Sequence, residues 1–357
     1  MLPLWAMATL GAAPSLVLND GTRHPLVGYG TYKVGVVPAS ASSAATGAAS
    51  PADAANPAEC VEAAIGLGYR FIDCAEFYAN EKAVGEGIAR AGVPRGELYL
   101  ASKVWTSTIH AGPEAVQAQL AQTLSDLGTS YLDLYCIHWP VPTKHVEAYK
   151  QLEKAHKAGL IRSIGVSNYA KEDYQELIDA GITVMPAINQ IEINPFLYRK
   201  ETIAFFESVG CKLQSYRALR DGKAFEDPTV VEIASKLGKT PAQVTWDSPR
   251  ALLLPHKLPR GLPTWAAPTR SSGPFPQILG RWCVQHGIIA IVKSVKAERM
   301  AENLAIFDFE IPPEDMERLD NLTTPDAIAK FVELYRKCVV RDTPLSPELA
   351  RMEITEM

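Results

Sequence analysis

Short, continuous apolar runs alternate along this chain with longer stretches in which apolar residues recur every three or four positions. The short runs read as strands buried on both faces, the longer stretches as amphipathic helices that cover them. The pattern predicts helix 58–67, strand 70–74, helix 80–91, strand 98–103, helix 113–127, strand 132–137 and helix 145–158. It continues with strand 161–166, helix 171–180, strand 185–191, helix 199–209, strand 212–216 and helix 228–237. Several helical stretches stop at a glycine (Gly68, Gly92, Gly128, Gly159, Gly181, Gly210, Gly238), the residue best suited to a left-handed cap. Residues 16–30 read as a hairpin, with an Asn19-Asp20-Gly21 turn, leading into a first inner strand. A last apolar run at 288–292 brings the inner strands to eight. The expected fold is α/β: a (β/α)8 TIM barrel in one domain, with an N-terminal β-hairpin plug across its bottom. A doubly wound dinucleotide-binding sheet is disfavoured, because the first strand-to-helix turn lacks Gly-x-Gly-x-x-Gly and the near match Gly85-Glu86-Gly87 falls inside a helix.

Composition adjusts this picture at a few places. Residues 37–57 are almost entirely Ala, Ser, Gly, Pro and Thr, which offers too little apolar bulk to pack, so a surface loop is expected there. The organisation expected is an N-terminal extension over 1–14, the barrel over 15–345 and a tail over 346–357. A chain of 357 residues suits a single α/β barrel. The net charge of -5 is well mixed, leaving no basic stripe for nucleic acid and no polybasic or amphipathic membrane patch. Small-molecule partners and a monomer are expected. Cys60, Cys74, Cys136, Cys211, Cys283 and Cys338 are widely spaced without a Cys-x-x-Cys pair, and read as reduced core thiols; no metal site is expected. The first residues are apolar but carry no basic group before Arg23, unlike the charged start of a secretory signal, and no run approaches a membrane span. A cytoplasmic location is the default expectation.

Chemistry collects at the strand ends, where barrels of this kind carry their sites. Asp73, Lys103, His138, Asn168, Gln190 and Tyr216 all fall there, and Tyr78 follows Asp73 by five residues. A free phenol has a pKa of about 10 and donates poorly to a weakly basic carbonyl at neutral pH. A lysine ammonium in contact stabilises the phenolate and is expected to lower that pKa, while an aspartate beyond it keeps the lysine charged and oriented. Tyr78, Lys103 and Asp73 fit those roles, and His138 beside the phenol is suited to orient a carbonyl oxygen. Singly, each has an ordinary reading: Asp73 as a helix cap, Lys103 as a surface lysine, Tyr78 and His138 as packing. Together, at successive strand ends, they converge on one site.

These segments resemble the aldo-keto reductase superfamily. The matching residues include Gly28-Tyr29-Gly30-Thr31-Tyr32-Lys33, Ile72-Asp73-Cys74-Ala75, Tyr78-Ala79-Asn80-Glu81, Ser102-Lys103-Val104-Trp105 and Ile137-His138-Trp139-Pro140. They continue with Gly165-Val166-Ser167-Asn168-Tyr169, Asn189-Gln190-Ile191-Glu192, Gln214-Ser215-Tyr216 and the run from Lys293 to Asn303. The resemblance implies reduction of aldehydes and ketones with NADPH (NADP+) on a barrel without a Rossmann domain. It implies that Ser167, Asn168 and Gln190 hold the nicotinamide carboxamide and that Tyr216 stacks on its ring, with Leu219 also at the cofactor. Lys293, Ser294 and Arg299 are implied at the 2'-phosphate, Glu302 and Asn303 at the adenine, and Tyr32, Trp105 and Trp139 as apolar walls for substrate. Two cations and a hydroxyl on one loop and helix start suit a dianionic phosphate, and the alternative is a solvated helix face. The chain departs from the family pattern where the usual Ser-Pro-Leu-Gly is Arg217-Ala218-Leu219-Arg220, and where Val292 replaces a proline. Arg217 and Arg220 are themselves candidates for phosphate contact. Between Pro140 and His145 the chain is short, implying a wide pocket.

One stretch reads as foreign to the barrel. Thr240-Pro241-Ala242-Gln243 is a helix start, yet the 34 residues from Val244 to Gln277 carry seven prolines (Pro249, Pro255, Pro259, Pro263, Pro268, Pro274, Pro276). Joining Gln243 to Ile278 restores one amphipathic helix with Ile278, Leu279, Trp282 and Cys283 on a single face. Valine codons begin with GT and CAG encodes glutamine, so the boundaries match those of a retained intron; a lineage-specific loop is the alternative. Two other functional readings therefore stand beside a reductase: a cofactor-binding regulatory subunit with little turnover, or an inactive product of a mis-spliced message.

Overall fold

The eight apolar runs form eight parallel strands that close on themselves, and the helices between them face outward. The computed structural model describes residues 14–35, 55–220, 227–238 and 275–342. A two-stranded antiparallel hairpin, β1 (Ser15–Val17) and β2 (Arg23–Pro25), precedes the barrel strands β3 (Val27–Gly30), β4 (Phe71–Asp73), β5 (Tyr99–Val104) and β6 (Leu132–Ile137). The ring continues through β7 (Ile161–Ser167), β8 (Ile188–Glu192), β9 (Lys212–Tyr216) and β10 (Ile289–Val292), which pairs back onto β3 through Ala290–Val27 and Val292–Tyr29. This is the (β/α)8 architecture with its hairpin plug. The plug turns at Gly21 (φ +84°) and is tied to the barrel by Asn19 Nδ2, which donates to Pro186 O at 3.0 Å.

Around the ring lie α1 (Pro57–Gly66), α2 (Glu81–Ala91), α3 (Thr106–Ala111), α4 (Pro113–Asp126), α5 (His145–Lys157), α6 (Lys171–Asp179) and α7 (Lys200–Ser208). They are followed by α8 (Pro228–Lys236), α9 (Phe275–Gln285), α10 (Ala297–Leu304), α11 (Pro313–Asp320) and α12 (Pro325–Asp342). The glycines expected to stop helices all have positive φ. Gly85 and Gly87 belong to α2 and have a packing purpose: a methyl at Gly85 would collide with the backbone of Asp126 and Leu127, and one at Gly87 with that of Ala58. Helix α2 thus sits close against α1 and the end of α4.

Most boundaries fall within a residue of expectation, and two differ by three residues. Strand β8 starts at Ile188 rather than 185, because Pro186 has no N–H for the ladder and its carbonyl serves the plug. Helix α9 starts at Phe275, three residues before the apolar face begins, since Pro276 is tolerated in a first turn. Gln277 is therefore part of that helix and its side-chain amide donates to Ala305 O at 3.1 Å. Ile278, Leu279, Trp282 and Cys283 share one face and are fully buried. The remainder of the proposed insertion, 244–274, lies outside the described residues, as do most of the 37–57 loop, the extension through residue 13 and the tail from residue 343. Short helices α3 and α11 were not anticipated; α11 buries only Asp315 and Leu319, too little for a visible period. Among the described residues five cysteines are free and buried, and no helix is long and apolar enough to cross a membrane.

Candidate active site

Three parallel strand ends, and the turn that follows the first of them, bring the predicted acid, base and cation groups into contact. Asp73 is the last residue of β4, Lys103 lies near the end of β5 in register with Cys136, and His138 follows β6 directly. The chain leaving β4 makes a short 3-10 turn over Glu76–Tyr78 that folds Tyr78 back over the barrel mouth. Lys103 Nζ donates to both Asp73 oxygens and to Cys74 O, each at 2.8 Å, and stands 3.4 Å from Tyr78 Oη. An ammonium has three protons. The three shorter contacts engage them, so the phenol feels Lys103 mainly as a nearby charge.

The electrostatics correct one expectation. Burial pushes the Tyr78 phenol above the ordinary tyrosine range; the Lys103 charge pulls it back only in part, while Asp73 opposes that pull. The net direction is upward because burial outweighs the Lys103 charge, part of whose field the Asp73 carboxylate offsets at the phenol. Tyr78 is thus a protonated phenol at neutral pH. Burial acts to deprotonate Lys103, but the Asp73 carboxylate beside it holds the ammonium charged. His138 is driven well below its usual range by burial and then by Lys103, so it is neutral. Its Nδ1 is buried without a protein partner among the described residues.

The walls of the mouth are aromatic. The Tyr32 ring lies 5.1 Å from that of Tyr78, with its hydroxyl buried and without a partner among the described residues, and the Trp105 ring lies 4.9 Å from His138. Trp139 follows His138, half-buried. Phe77, which sequence reasoning missed, stacks on Trp105 at 3.9 Å. Also missed was Glu76, whose carboxylate accepts from Trp105 N at 2.6 Å and Thr108 Oγ1 at 2.5 Å, bracing the Tyr78 turn against the end of β5. Neither residue had a signal beyond adjacency to Tyr78.

Next to the tetrad, the residues expected at the carboxamide form one hydrogen-bonded group. Ser167 Oγ donates to Gln190 O at 2.8 Å, and Asn168 Nδ2 donates to His138 O at 3.0 Å. Tyr216 Oη donates to Asn168 Oδ1 at 2.8 Å, and Asn168 itself takes the left-handed conformation at φ +61°. Gln190 Nε2 donates to Asp73 Oδ1 at 2.9 Å, linking this group to the tetrad. Leu219 sits half-buried in the turn after β9, packed on the core. Arg217 in that turn pairs with Glu192 at 3.1 Å, and the Arg220 guanidinium lies 4.7 Å from the Phe196 ring centre.

The expected phosphate residues follow β10. Tyr29 Oη donates to Ser294 O at 2.8 Å, fixing the loop, and Ser294 Oγ accepts from Lys296 N at 3.1 Å. Lys293 and Arg299 are exposed, and among the described residues neither makes an ion pair. They flank the start of α10, which has no side-chain cap, so its first N–H groups are open to an anion. Glu302 is half-buried and Asn303 buried on the same helix. This donor set, together with the orphaned polar atoms at the mouth, suits a dinucleotide with a terminal phosphate group.

Comparison with known proteins gives the family. The model of the Aldo/keto reductase family matches residues 27–324. The chain is 35% identical to glyoxal reductase of Bacillus subtilis over 313 residues, covering 87% of this chain and 93% of that protein. It is similar to the crystal structure of an aldo/keto reductase from Brucella melitensis, with a TM-score of 0.68 and 30% identity, covering 87% of this chain and 100% of that one. A Bombyx mori aldo-keto reductase solved in complex with NADP has a TM-score of 0.68 at 28% identity, covering 88% and 94%.

Proposed function

The chain belongs to the aldo/keto reductase family of oxidoreductases, and on that footing we propose that it reduces aldehydes or ketones to alcohols with NADPH, Tyr78 supplying the proton. The observation that carries this reading is a protonated, buried phenol 3.4 Å from an ammonium that Asp73 clasps with both oxygens. Bound NADPH supplies the hydride that reaches the carbonyl carbon. The Tyr78 O–H bond breaks as its proton passes to the carbonyl oxygen, and Lys103 stabilises the phenolate left behind. Its raised pKa suits a group that must keep its proton until substrate charge develops. Neutral His138 orients the carbonyl oxygen, and Tyr32, Phe77, Trp105 and Trp139 enclose the rest of a small carbonyl compound.

Ser167, Asn168, Gln190, Tyr216 and Leu219 form the nicotinamide side of the cofactor site in this reading. Lys293, Ser294 and Arg299 bind the 2'-phosphate, with Glu302 and Asn303 toward the adenine. All of these belong to one chain, which agrees with a monomer. Buried free thiols agree with a reducing compartment, hence the cytoplasm. The test is NADPH oxidation with a panel of aldehydes, ketones and small dicarbonyls, the last suggested by the glyoxal reductase likeness. Tyr78→Phe is expected to keep NADPH binding and lose at least about two orders of magnitude in turnover, since general acid catalysis is typically worth ~10²–10⁴. Near-normal turnover by that variant removes Tyr78 from the mechanism.

A further inference from the structure

A chain of buried side chains runs from the tetrad down the barrel to the hairpin plug. Gln190 Nε2 donates to Asp73 Oδ1 at 2.9 Å and to Gln214 Oε1 at 2.8 Å. Gln190 on β8 and Gln214 on β9 are register partners, so the strand pairing itself sets their side chains together. Gln214 Nε2 lies 2.7 Å from His24 Nε2, and His24 Nδ1 lies 2.7 Å from Pro25 O. His24 is fully buried on β2, its ring 4.6 Å from Phe71 and 4.0 Å from Tyr99, the first residues of β4 and β5. Gln214 is fully buried too, and Gln190 nearly so.

The polarity of this chain is dictated from both ends. A backbone carbonyl can only accept, so His24 Nδ1 carries a proton for Pro25 O. Burial holds His24 neutral, with its pKa lowered to about 3, so Nε2 has no proton and must accept from Gln214 Nε2. Gln214 therefore presents its oxygen to Gln190. At the other end the Asp73 carboxylate, paired with Lys103, also only accepts. Both protons of Gln190 Nε2 are thereby committed, one to Asp73 and one to Gln214. Its Oε1 is left over, and among the described residues that atom has no hydrogen-bond partner.

We propose that Gln214 and His24 are positioning residues for the cofactor: acting through Gln190, they lock its amide so that Oε1 faces the nicotinamide as an acceptor for the carboxamide N–H. This rests on the cofactor reading above. Without the two partners below it, the Gln190 amide loses one of the two acceptors that fix its orientation and is held through Asp73 alone, so that its plane is less well set. Neither residue touches the cofactor. Together they make the plug part of cofactor recognition, in addition to closing the barrel.

The experiment compares dissociation constants for NADP+ and its 3-acetylpyridine analogue, which has an acetyl group and therefore no N–H to donate. The unaltered protein is expected to favour NADP+ by about fivefold, the worth of one neutral hydrogen bond. Gln214→Met, close in volume but without donor or acceptor, is expected to weaken NADP+ by about that factor and leave the analogue unchanged. His24→Phe keeps the ring packed against Phe71 and Tyr99, is expected to shift NADP+ alone by about twofold, and carries the test if Gln214→Met does not fold. Unchanged NADP+ affinity in the folded variants, or equal weakening of both ligands, overturns the assignment. Failure of the unaltered protein to bind NADP+ at all overturns the cofactor reading itself, and this assignment with it.

Discussion

Arg299 and Lys293, the two cations of the proposed phosphate site, are exposed and make no ion pair among the described residues, which makes their contribution separable from the rest of the site. Arg299→Ala is expected to weaken NADPH by roughly tenfold or more while barely altering NADH, because charge-assisted hydrogen bonds to phosphate are worth ~1.5–3 kcal/mol and NADH has no 2'-phosphate. Equal losses for the two dinucleotides would remove the phosphate assignment. Residues such as Asp73, Lys103 and His138 were legible in the sequence because each terminates an apolar run, and the run fixes which end of the barrel it reaches. Gln214 and His24 were not. Their meaning depends on a lateral register between strands and on a hairpin folding under the barrel, neither of which a single run displays. Glu76 was hidden for a related reason: its partners, Trp105 N and Thr108 Oγ1, lie just after another strand, at the start of α3.

At the level of elements, α2 is fastened to its neighbours by a buried carboxylate. Glu81 accepts from Ser102 Oγ of β5 at 2.5 Å and from Thr123 Oγ1 of α4 at 2.9 Å, and burial raises its pKa to about 7 despite those bonds. A carboxyl group whose folded pKa lies above its unfolded value retains its proton longer in the folded state. Stability therefore falls as pH rises from about 4.5 to about 7, by about 3 kcal/mol at ~1.4 kcal/mol per pH unit. Glu81→Gln, which offers one acceptor and one donor to the same hydroxyls, is expected to lose most of that slope. Urea unfolding of both proteins at pH 5 and pH 8 measures it, and parallel pH profiles would refute the role of Glu81. The order of the barrel strands and of the helices that cover them was readable because apolar runs and capping glycines punctuate the chain; α3, α11 and α12 were not, and β8 shifted where a proline sits at its start. The reading of 244–277 as foreign predicts that deleting it, so that Gln243 meets Ile278, stabilises the protein by about 1–2 kcal/mol through a restored cap and a shorter loop. A less stable deletion variant, or transcripts that all retain these codons, would defeat that reading.

For the molecule as a whole, two buried histidines and a buried carboxyl group pull in opposite directions. His24 has a folded pKa of about 3, below its unfolded value, so the unfolded chain gains a proton first as pH falls below about 6.5 and stability declines. His138 adds to that decline, while Glu81 offsets it down to about pH 4.5. Between pH 7 and pH 4.5, His24→Phe is expected to lose about 2–3 kcal/mol less stability than the unaltered protein. Equal losses in denaturant titrations at the two pH values would contradict this. The closed ring has a further implication for how the protein is made. Strand β3 is among the first segments synthesised, yet one of its edges has no partner until β10, near the other end of the chain, has been translated. At ~5–20 residues per second that interval is on the order of tens of seconds, during which a nascent strand edge stands open and Lys293 and Ser294, immediately after β10, do not yet exist. On the ribosome, the ring and the proposed phosphate end of its site are completed by nearly the same stretch of chain.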